Sequence, residues 1–328
     1  MSRPLRIALI GCGTVAVRQH LPGFRAMGGD AVQVTVFASR TESAAAEARR
    51  LWGGGVVAPR WQDAVSDPDV DAVDICTPPH LHAPIATAAA RAGKHVLVEK
   101  PMALNLAQAD AMIAAAEDAG VVLQTAEESR HRGSILAAAR AIRAGLIGEV
   151  TGVESYLAHG GPQLWAPGAG WFFDPGTAGG GVLMDLGVHA VDAVRAVAGQ
   201  EIGEVAAVLT RGERAVEEDG FVLFRLRNGV PGSLRVSWRA PYEEAHRVMV
   251  WGTTGQCVAD EGRAWIRRPG RADIPLDGEP SHNLYADFVR ACAGDPGVAP
   301  RGRDGRQALA VVQAAYESAA RAAWVPVG

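Results

Sequence analysis

Lysine is almost absent from this chain of 328 residues: of its 32 basic residues, only Lys94 and Lys100 are lysines. Cysteine is also scarce, and its spacing forms no CxxC pair and fits no zinc template. This pattern excludes a disulfide framework and predicts free thiols in a reducing cytoplasm, with no bound metal. The four cysteines are Cys12, Cys76, Cys257 and Cys292.

Positive charge and long apolar runs are lacking as well. The formal net charge is −4, which argues against a nucleic-acid partner or a membrane surface held by basic charge. No run approaches the ~20 apolar residues of a membrane-spanning helix. The apolar stretch at the N-terminus, about seven residues before a glycine, is short for a signal peptide. We therefore expect a soluble cytoplasmic protein.

Short apolar runs alternate with alanine-rich helical stretches over the first 125 residues. Strands that are apolar on both faces and alternate with helices indicate a parallel sheet covered on both sides. The right-handed crossover rule then predicts a doubly wound Rossmann-type sheet. The predicted strands are 6–11, 32–39, 70–77, 94–100 and 120–125.

The pattern changes after about residue 150. A helix is predicted over 181–198, and five strand-like runs separated by short turns follow between 204 and 268. Adjacent strands without intervening helices indicate an antiparallel sheet. The length fits about two domains. We expect a dinucleotide-binding domain at 1–126 and an α+β domain with a large, mostly antiparallel open sheet at 127–328.

The first strand leads into a glycine loop. Gly11 and Gly13 occupy the first two positions of a GxGxxG pattern, and Ala16 takes the third. The first glycine allows a tight turn, the second lets the backbone approach a pyrophosphate, and the third position needs a small residue. The N–H groups around Thr14 and Val15 would then face the anion. The alternative is a plain strand–helix turn.

The end of the second strand predicts which cofactor binds. An acidic residue there favours NAD, because it bonds the ribose 2′-hydroxyl. This strand ends in Ser39 and Arg40, with no acid before Glu42. Since Arg40 could pair with a 2′-phosphate and Ser39 could donate to it, the sequence favours NADP(H). NAD(H) remains possible if Arg40 only stacks on adenine or faces solvent.

A buried strand delivers Glu99 and Lys100 at the edge where doubly wound sheets bind ligands. An ammonium there can donate to a substrate oxygen, and it can lose its proton when burial favours the neutral form. Arginine cannot be deprotonated in that role. Pro101 restricts Lys100 to an extended conformation, and the bond between them could be cis.

A second polar motif lies in the predicted helix at 181–198. Asp185, His189 and Asp192 stand at i, i+4 and i+7, on one helical face. Such an imidazole can move a proton while a carboxylate orients the ring. The alternative is an ordinary polar stripe, with Asp192 paired to Arg195. The glycines at 179–181 favour function, because they permit close approach of a ligand.

Four segments together resemble the family of glucose–fructose oxidoreductase, inositol dehydrogenase and the rhizopine-catabolism protein MocA. They are "GCGTVA", "DAVDICTPPHLHAPIATAAARAGKHVLVEKP", "RAIRAGLIGEV" and "GGGVLMDLGVHAVD". The resemblance runs nearly end to end. It implies hydride transfer between a nicotinamide and a sugar, cyclitol or related polyol, and a homodimer or homotetramer formed through the open sheet.

The resemblance also implies roles for individual residues. Lys100 would lie near the nicotinamide and the reacting hydroxyl, with Asp185 and His189 as the acid/base and orienting pair. Glu99 would sit near the nicotinamide ribose. The loop after the fourth strand would contact the cofactor through Thr77, Pro78 and His82.

The family pattern is matched by Arg130, a candidate for the substrate pocket, but not by Glu127 and Glu128, which stand where relatives more often have an amide or a small residue. Trp171, with Trp165 and Phe172, could stack on a sugar ring or simply pack a surface loop. We read His20 as structural. Two other functions stay open: a glycosidase that uses transient oxidation, and a non-catalytic dinucleotide sensor.

Overall fold

A computed structural model describes residues 3–166, 168–240, 245–276, 278, 280–295 and 302–328. The chain divides into two compact units. The first contains residues 1–126 and 283–306, and the second contains residues 127–282 and 307–328. Among the described residues, no helix has the length and apolar character needed to cross a bilayer.

The first unit is built on a six-stranded parallel sheet in the order β3-β2-β1-β4-β5-β6. Its strand order reverses between β1 and β4, which is where a doubly wound sheet binds its ligand. The doubly wound parallel sheet predicted from the sequence is confirmed. The strands are β1 (Leu5–Ile10), β2 (Val32–Ala38), β3 (Val56–Ala58), β4 (Ala72–Ile75), β5 (His95–Glu99) and β6 (Leu123–Ala126).

Helices cover this sheet, and their ends follow local sequence signals. The Asn105 side chain accepts from the N–H of Gln108 to begin one helix, which ends at Gly120 with a positive φ of 66°. A π-helical turn, Ala16–His20, directly precedes α1. The helices are α1 (Leu21–Arg25), α2 (Glu42–Trp52), α3 (Trp61–Ser66), α4 (His82–Arg91) and α5 (Leu106–Ala119).

A late segment of the chain completes the core of the first unit. Helix α9 (Leu284–Cys292) buries Leu284, Tyr285 and Phe288 in the same apolar cluster as Phe24 and Phe37. Residues 283–306 belong to the first unit, whereas the sequence predicts a second domain at 127–328, because a contact between residues so far apart leaves no local signal.

The second unit is built on a nine-stranded sheet in the order β14-β13-β12-β11-β7-β10-β9-β8-β15. Only the β7–β10 pair is parallel among the pairs described, so the predicted mostly antiparallel sheet is confirmed. The strands are β7 (Val150–Ala158), β8 (Ile202–Arg211), β9 (Glu217–Leu226), β10 (Pro231–Ser237), β11 (Ala245–Gly252), β12 (Gly255–Asp260), β13 (Arg263–Arg267), β14 (Ile274–Pro275) and β15 (Val325–Pro326).

Helices α6 and α8 pack on this sheet and on each other. Strand β9 has one covered and one open face, because its side chains alternate: Val222, Phe224 and Leu226 are buried, whereas Phe221 and Leu223 are exposed. A π-helical turn, Leu183–Gly187, leads directly into α8. The remaining helices are α6 (Gly133–Arg143), α7 (Pro175–Ala178), α8 (Val188–Ala198) and α10 (Gly302–Arg321).

Candidate functional site

The glycine loop of the first unit has the shape that a pyrophosphate needs. Gly11 has a φ of +93°, and a Cβ on it would lie 2.5 Å from the carbonyl oxygen of Cys76. A Cβ on Gly13 would meet nothing within 4 Å, so the backbone there faces open space. Ala16 is fully buried, as the small-residue position requires. The loop therefore fits a dinucleotide, and the role of Thr14 and Val15 stays a prediction.

The loop after β4 adds a second observation that fits a cofactor. The hydroxyl oxygen of Thr77 is buried without a hydrogen-bond partner among the described residues, beside Pro78. A ligand could supply the missing partner. His82 is fully buried; its Nε2 lies 2.7 Å from the Thr77 carbonyl oxygen and its Nδ1 lies 2.9 Å from that of Pro101. Its ring therefore braces the two loops that follow β4 and β5.

Strand β2 ends at Ala38, so Ser39 and Arg40 follow it directly at the ligand edge of the sheet. Ser39 is half-buried and Arg40 is exposed. No carboxylate precedes Glu42, the first residue of α2. Neither side chain has a contact that would commit it to another role within the described part of the chain.

The end of β5 carries Glu99, and Lys100 follows it. Both side chains are half-buried, and the Lys100–Pro101 peptide bond is cis, which was one of the two states considered from the sequence. The backbone N–H of Lys100 donates to Oε2 of Glu99 at 3.1 Å. The end of β5 and this hydrogen bond thus fix the backbone from which the Lys100 side chain extends.

His20 is fully buried next to the end of β5. The sequence predicts a structural role for it. The Nδ1 of His20 lies 2.9 Å from both carboxylate oxygens of Asp74, and its Nε2 lies 2.8 Å from Oε1 of Glu99. His20 and Asp74 are both fully buried. The Sγ of Cys76 lies 3.3 Å from Nδ1, and the Tyr285 ring packs edge-on against the imidazole.

The charges around His20 decide its protonation. Burial alone would lower its pKa, but Asp74 and the neighbouring groups raise it well above the ordinary value. Burial raises the pKa of the Cys76 thiol, so this cysteine stays protonated. His20, Asp74 and Cys76 are close enough together to ligate a metal ion. The protonated His20 ring also forms buried ion pairs with Asp74 and Glu99 that need no metal ion.

In the second unit, Gly180 and Gly181 before α8 make room for protein rather than for a ligand. A Cβ on Gly180 would lie 2.0 Å from the Tyr316 hydroxyl, and one on Gly181 would lie 2.1 Å from the Glu217 carbonyl oxygen. The buried Glu217 carboxylate accepts from the N–H groups of Gly181 and Leu183 and from the Tyr316 hydroxyl. Glu217 is not predicted from the sequence, because an acid at a buried position of a strand forms no motif.

Asp185 and His189 of the predicted helical motif contact different residues. Asp185 is buried in the π-helical turn, and its Oδ2 accepts from the indole Nε1 of Trp238 at 3.2 Å. His189 lies in α8, with its Nδ1 2.6 Å from Oε1 of Glu127. The ring is 13% exposed and the carboxylate 6%. The Glu127 carboxylate thus holds the His189 ring, a role that the sequence left unassigned.

Asp192 is paired with Arg130, which the sequence analysis had placed in the substrate pocket. The guanidinium Nε lies 2.9 Å and 3.0 Å from the two oxygens of Asp192, and a terminal nitrogen makes a further contact. Arg195, the partner of Asp192 in the alternative interpretation, lies 3.8 Å from it as a more distant ion pair and donates to Glu201 at 2.7 Å. Arg130 therefore holds a buried carboxylate in place.

The aromatic residues before the glycines pack mainly on one another. The rings of Trp171 and Phe172 stack with centroids 3.8 Å apart, and Trp165 meets Phe172 edge-on at 5.3 Å. Phe172 is buried, whereas Trp165 and Trp171 are half-buried. Phe172 therefore packs within the protein, whereas part of the Trp171 ring remains exposed to solvent.

A Rossmann unit with a glycine loop, followed by a unit that carries a paired imidazole, is the arrangement of a nicotinamide-dependent oxidoreductase. Family models agree with this reading. Residues 5–127 match the oxidoreductase family with an NAD-binding Rossmann fold, and residues 135–258 match the GFO/IDH/MocA C-terminal domain. The chain belongs to this family, as its motifs predict, and is an NAD(P)-dependent dehydrogenase or reductase.

Individual relatives cover nearly the whole chain. It is 33% identical to 1,5-anhydro-D-fructose reductase of Ensifer adhaerens, over 96% of each chain. It is 29% identical to inositol 2-dehydrogenase of Rhizobium meliloti, over 96% of this chain and 97% of that one. The solved structure of levoglucosan dehydrogenase in complex with NADH and levoglucosan is 28% identical and matches with a TM-score of 0.89, over 99% and 100% of the two chains.

Proposed function

We propose that this enzyme interconverts a secondary hydroxyl and a ketone on a small sugar, cyclitol or related polyol. The observation that carries the proposal is the nearly buried pairing of the His189 imidazole with Glu127, in a chain of this oxidoreductase family. The named activities of the relatives support the substrate class, because they act on anhydrosugars and inositol. A bound nicotinamide supplies the hydride acceptor or donor.

We assign the proton chemistry to three residues. His189 takes the hydroxyl proton as the alcohol is oxidised, and returns it to the ketone oxygen in the reverse direction. Lys100 assists by donating to the reacting oxygen, since its ammonium is compact and its backbone is fixed at the end of β5. Asp185, held by Trp238, contributes a fixed negative charge beside the substrate hydroxyls. Trp171 is the aromatic residue we assign to the substrate.

The proposed cofactor is NADP(H) in preference to NAD(H). The support is local: Arg40 is exposed and Ser39 half-buried directly after β2, with no carboxylate to repel a 2′-phosphate. The loop contacts are assigned to Gly11, Gly13, Thr14, Val15 and Ala16. Further contacts are assigned to Thr77, Pro78 and Glu99, with His82 bracing the loops.

The proposed assembly is a homodimer or homotetramer formed through the open face of the nine-stranded sheet. Val208, Phe221 and Leu223 on this face are 67%, 48% and 56% exposed. Clustered exposed apolar side chains mark interaction surfaces, and a second copy of the chain is the simplest partner. All four cysteines are free, which supports the cytoplasm as the proposed location.

A substrate screen tests the proposal. Sugars, cyclitols and anhydrosugars are mixed with enzyme and either NAD+ or NADP+, and the absorbance of the reduced cofactor is followed. Turnover with reduced cofactor formed in proportion to product is expected. Product formed without net cofactor reduction would point to a glycosidase, and no product with any compound would contradict the assignment.

The two lysines provide a matched pair of variants for the catalytic assignment. Lys100→Ala is expected to lower kcat by about 100-fold or more, the usual scale of a lost proton-handling group, while cofactor affinity changes little. Lys94 donates to the carbonyl oxygens of Asp67 and Val70 at the far end of β5. Lys94→Ala should therefore keep the wild-type kcat. A fully active Lys100→Ala enzyme would remove Lys100 from the mechanism.

A further inference from the structure

The Glu127–His189 contact is built as a rigid pair. Glu127 follows directly after β6, and its Oε1 also accepts from the backbone N–H of Ser129 at 3.0 Å. The carboxylate is therefore anchored on its own chain before it reaches the imidazole. Since both side chains are nearly buried, water does not compete strongly for the contact.

The contact fixes which nitrogen of His189 carries its proton. An ionised carboxylate can only accept, so Nδ1 must donate to Glu127 at 2.6 Å. In the neutral ring the lone pair then lies on Nε2, on the opposite side of the imidazole. That tautomer can take a proton at Nε2. The resulting imidazolium is stabilised by the adjacent carboxylate, which raises the basicity of the ring.

Asp185 stands one helical turn before His189, but among the described contacts the carboxylate on Nδ1 is that of Glu127. The Oδ2 of Asp185 accepts from Trp238. Asp192 lies on the next turn of α8 and is paired with Arg130 from the segment after β6, with Arg195 3.8 Å away. Burial raises the pKa of Asp192 to about 6. Glu127 thus places a negative charge in direct contact with the ring.

We propose that Glu127 is a positioning residue for the reaction: it sets the tautomer of His189 and makes the ring a stronger base. The inference rests on the proposed function, in which His189 takes the hydroxyl proton at Nε2. The alcohol loses a hydride to the oxidised nicotinamide and a proton to His189, so the ketone, the reduced cofactor and the imidazolium balance. The imidazolium then releases its proton to solvent.

The adjacent Glu128 offers a matched control. It is 40% exposed and pairs with Arg132 at 2.9 Å, so the same substitution there removes one negative charge without touching His189. Glu127→Gln keeps the size of the side chain and its acceptor for the Ser129 N–H. Glu127→Asp keeps the charge with a shorter reach.

The test is the pH dependence of kcat/KM for alcohol oxidation in the three variants and the wild type. In Glu127→Gln the plateau should fall by about 100-fold, the scale of lost general-base catalysis. Its acid limb should move to lower pH by about one unit or more, because the lost carboxylate no longer favours the imidazolium. Glu127→Asp should keep the acid limb near its wild-type position, and Glu128→Gln should match the wild type throughout. A wild-type plateau and limb in Glu127→Gln would overturn the proposal.

A second measurement needs no substrate and separates this inference from the proposed function. The His189 ring is titrated by NMR with 15N-labelled histidine, and its signals are identified by their loss in His189→Gln. The wild type should show a protonated Nδ1 and a higher pKa than Glu127→Gln, with Glu128→Gln unchanged. Identical titrations in wild type and Glu127→Gln would overturn the role of Glu127 even if turnover is found. If the titrations differ but no sugar or polyol reacts, only the proposed function fails.

Discussion

The imidazole of His20 joins Glu99 to Asp74 inside the first unit, with 2.8 Å between Nε2 of His20 and Oε1 of Glu99. Both ring nitrogens face carboxylates, which can only accept when ionised, so both nitrogens donate and the ring is an imidazolium. The same Glu99 accepts from the backbone N–H of Lys100 through its other oxygen. A buried cation therefore fixes the carboxylate next to the proposed catalytic lysine.

The protonation of His20 predicts a dependence of stability on pH. Its pKa is raised in the folded state, so its contribution to the free energy of unfolding is complete below the ordinary histidine pKa of about 6.5. That contribution is lost as the pH rises through the folded-state pKa. Denaturant unfolding should show this alkaline loss in the wild type and not in His20→Gln, which should also be less stable by about 3–5 kcal/mol.

A second histidine of the first unit serves as the control for this measurement. His95 begins β5, and its Nδ1 accepts from the N–H of Val122 at 3.0 Å. Burial lowers its pKa, so its own effect falls on the acid side. His95→Gln should therefore keep the alkaline loss. The same alkaline slope in His20→Gln would contradict the assignment of this loss to His20.

Alanine substitutions at the two glycines of the glycine loop should change different properties of the protein. Gly11→Ala meets a positive φ and a carbonyl oxygen at 2.5 Å, so it should lower the free energy of unfolding by about 1–3 kcal/mol or more. Gly13→Ala places its methyl group in open space and should unfold at the wild-type temperature. That space is where a pyrophosphate would approach, so the NADPH Kd should rise by about 10-fold or more. Thermal unfolding without cofactor and a fluorescence titration measure the two effects. Wild-type affinity in Gly13→Ala would place the pyrophosphate elsewhere.

The cofactor preference can be tested at the end of β2. Arg40→Ala should reduce kcat/KM for NADP+ by about 10- to 100-fold, the range for a charged hydrogen bond, and leave the value for NAD+ nearly unchanged. Ser39→Asp should turn the preference toward NAD+. Arg50, which is exposed on α2 and pairs with Glu47, is the control: Arg50→Ala should change neither value. A wild-type enzyme that prefers NAD+ would contradict the proposal at once.

Local sequence patterns predicted most strands and helices, because buried strands and amphipathic helices leave a periodic signal. They missed β3, which has only three residues, and β7, whose buried positions include the polar Ser155. They also missed the two-residue strands β14 and β15, and the single predicted run 255–268 contains two strands, β12 and β13. Strand β7 lies in the middle of its sheet through pairing with β10 and β11, which come much later in the chain. A sequence read segment by segment does not contain that pairing.

The parts of the candidate site that depend on local sequence were predictable, and the contacts between distant segments were not. The glycine loop and the strand end at Lys100 follow from local spacing and lie where expected. The contact of His189 with Glu127 depends on how the chain folds back, since 62 residues separate the two. The predicted single helical face also assumed a regular helix, whereas Asp185 lies in a π-helical turn, which alters its angle relative to His189.

The open face of the nine-stranded sheet should hold the assembly together. Phe221 and Leu223 point outward from β9 and are about half exposed, so a charge on either would have to be buried in the proposed interface. Phe221→Glu and Leu223→Glu should each lower the mass measured by light scattering from that of the oligomer toward that of one 34.3 kDa chain. Leu51, 38% exposed on α2 of the first unit, is the control, and Leu51→Glu should keep the wild-type mass. A wild type that runs as a single chain would show that this face has no self-association role. An unchanged mass in both β9 variants would move the interface to another surface.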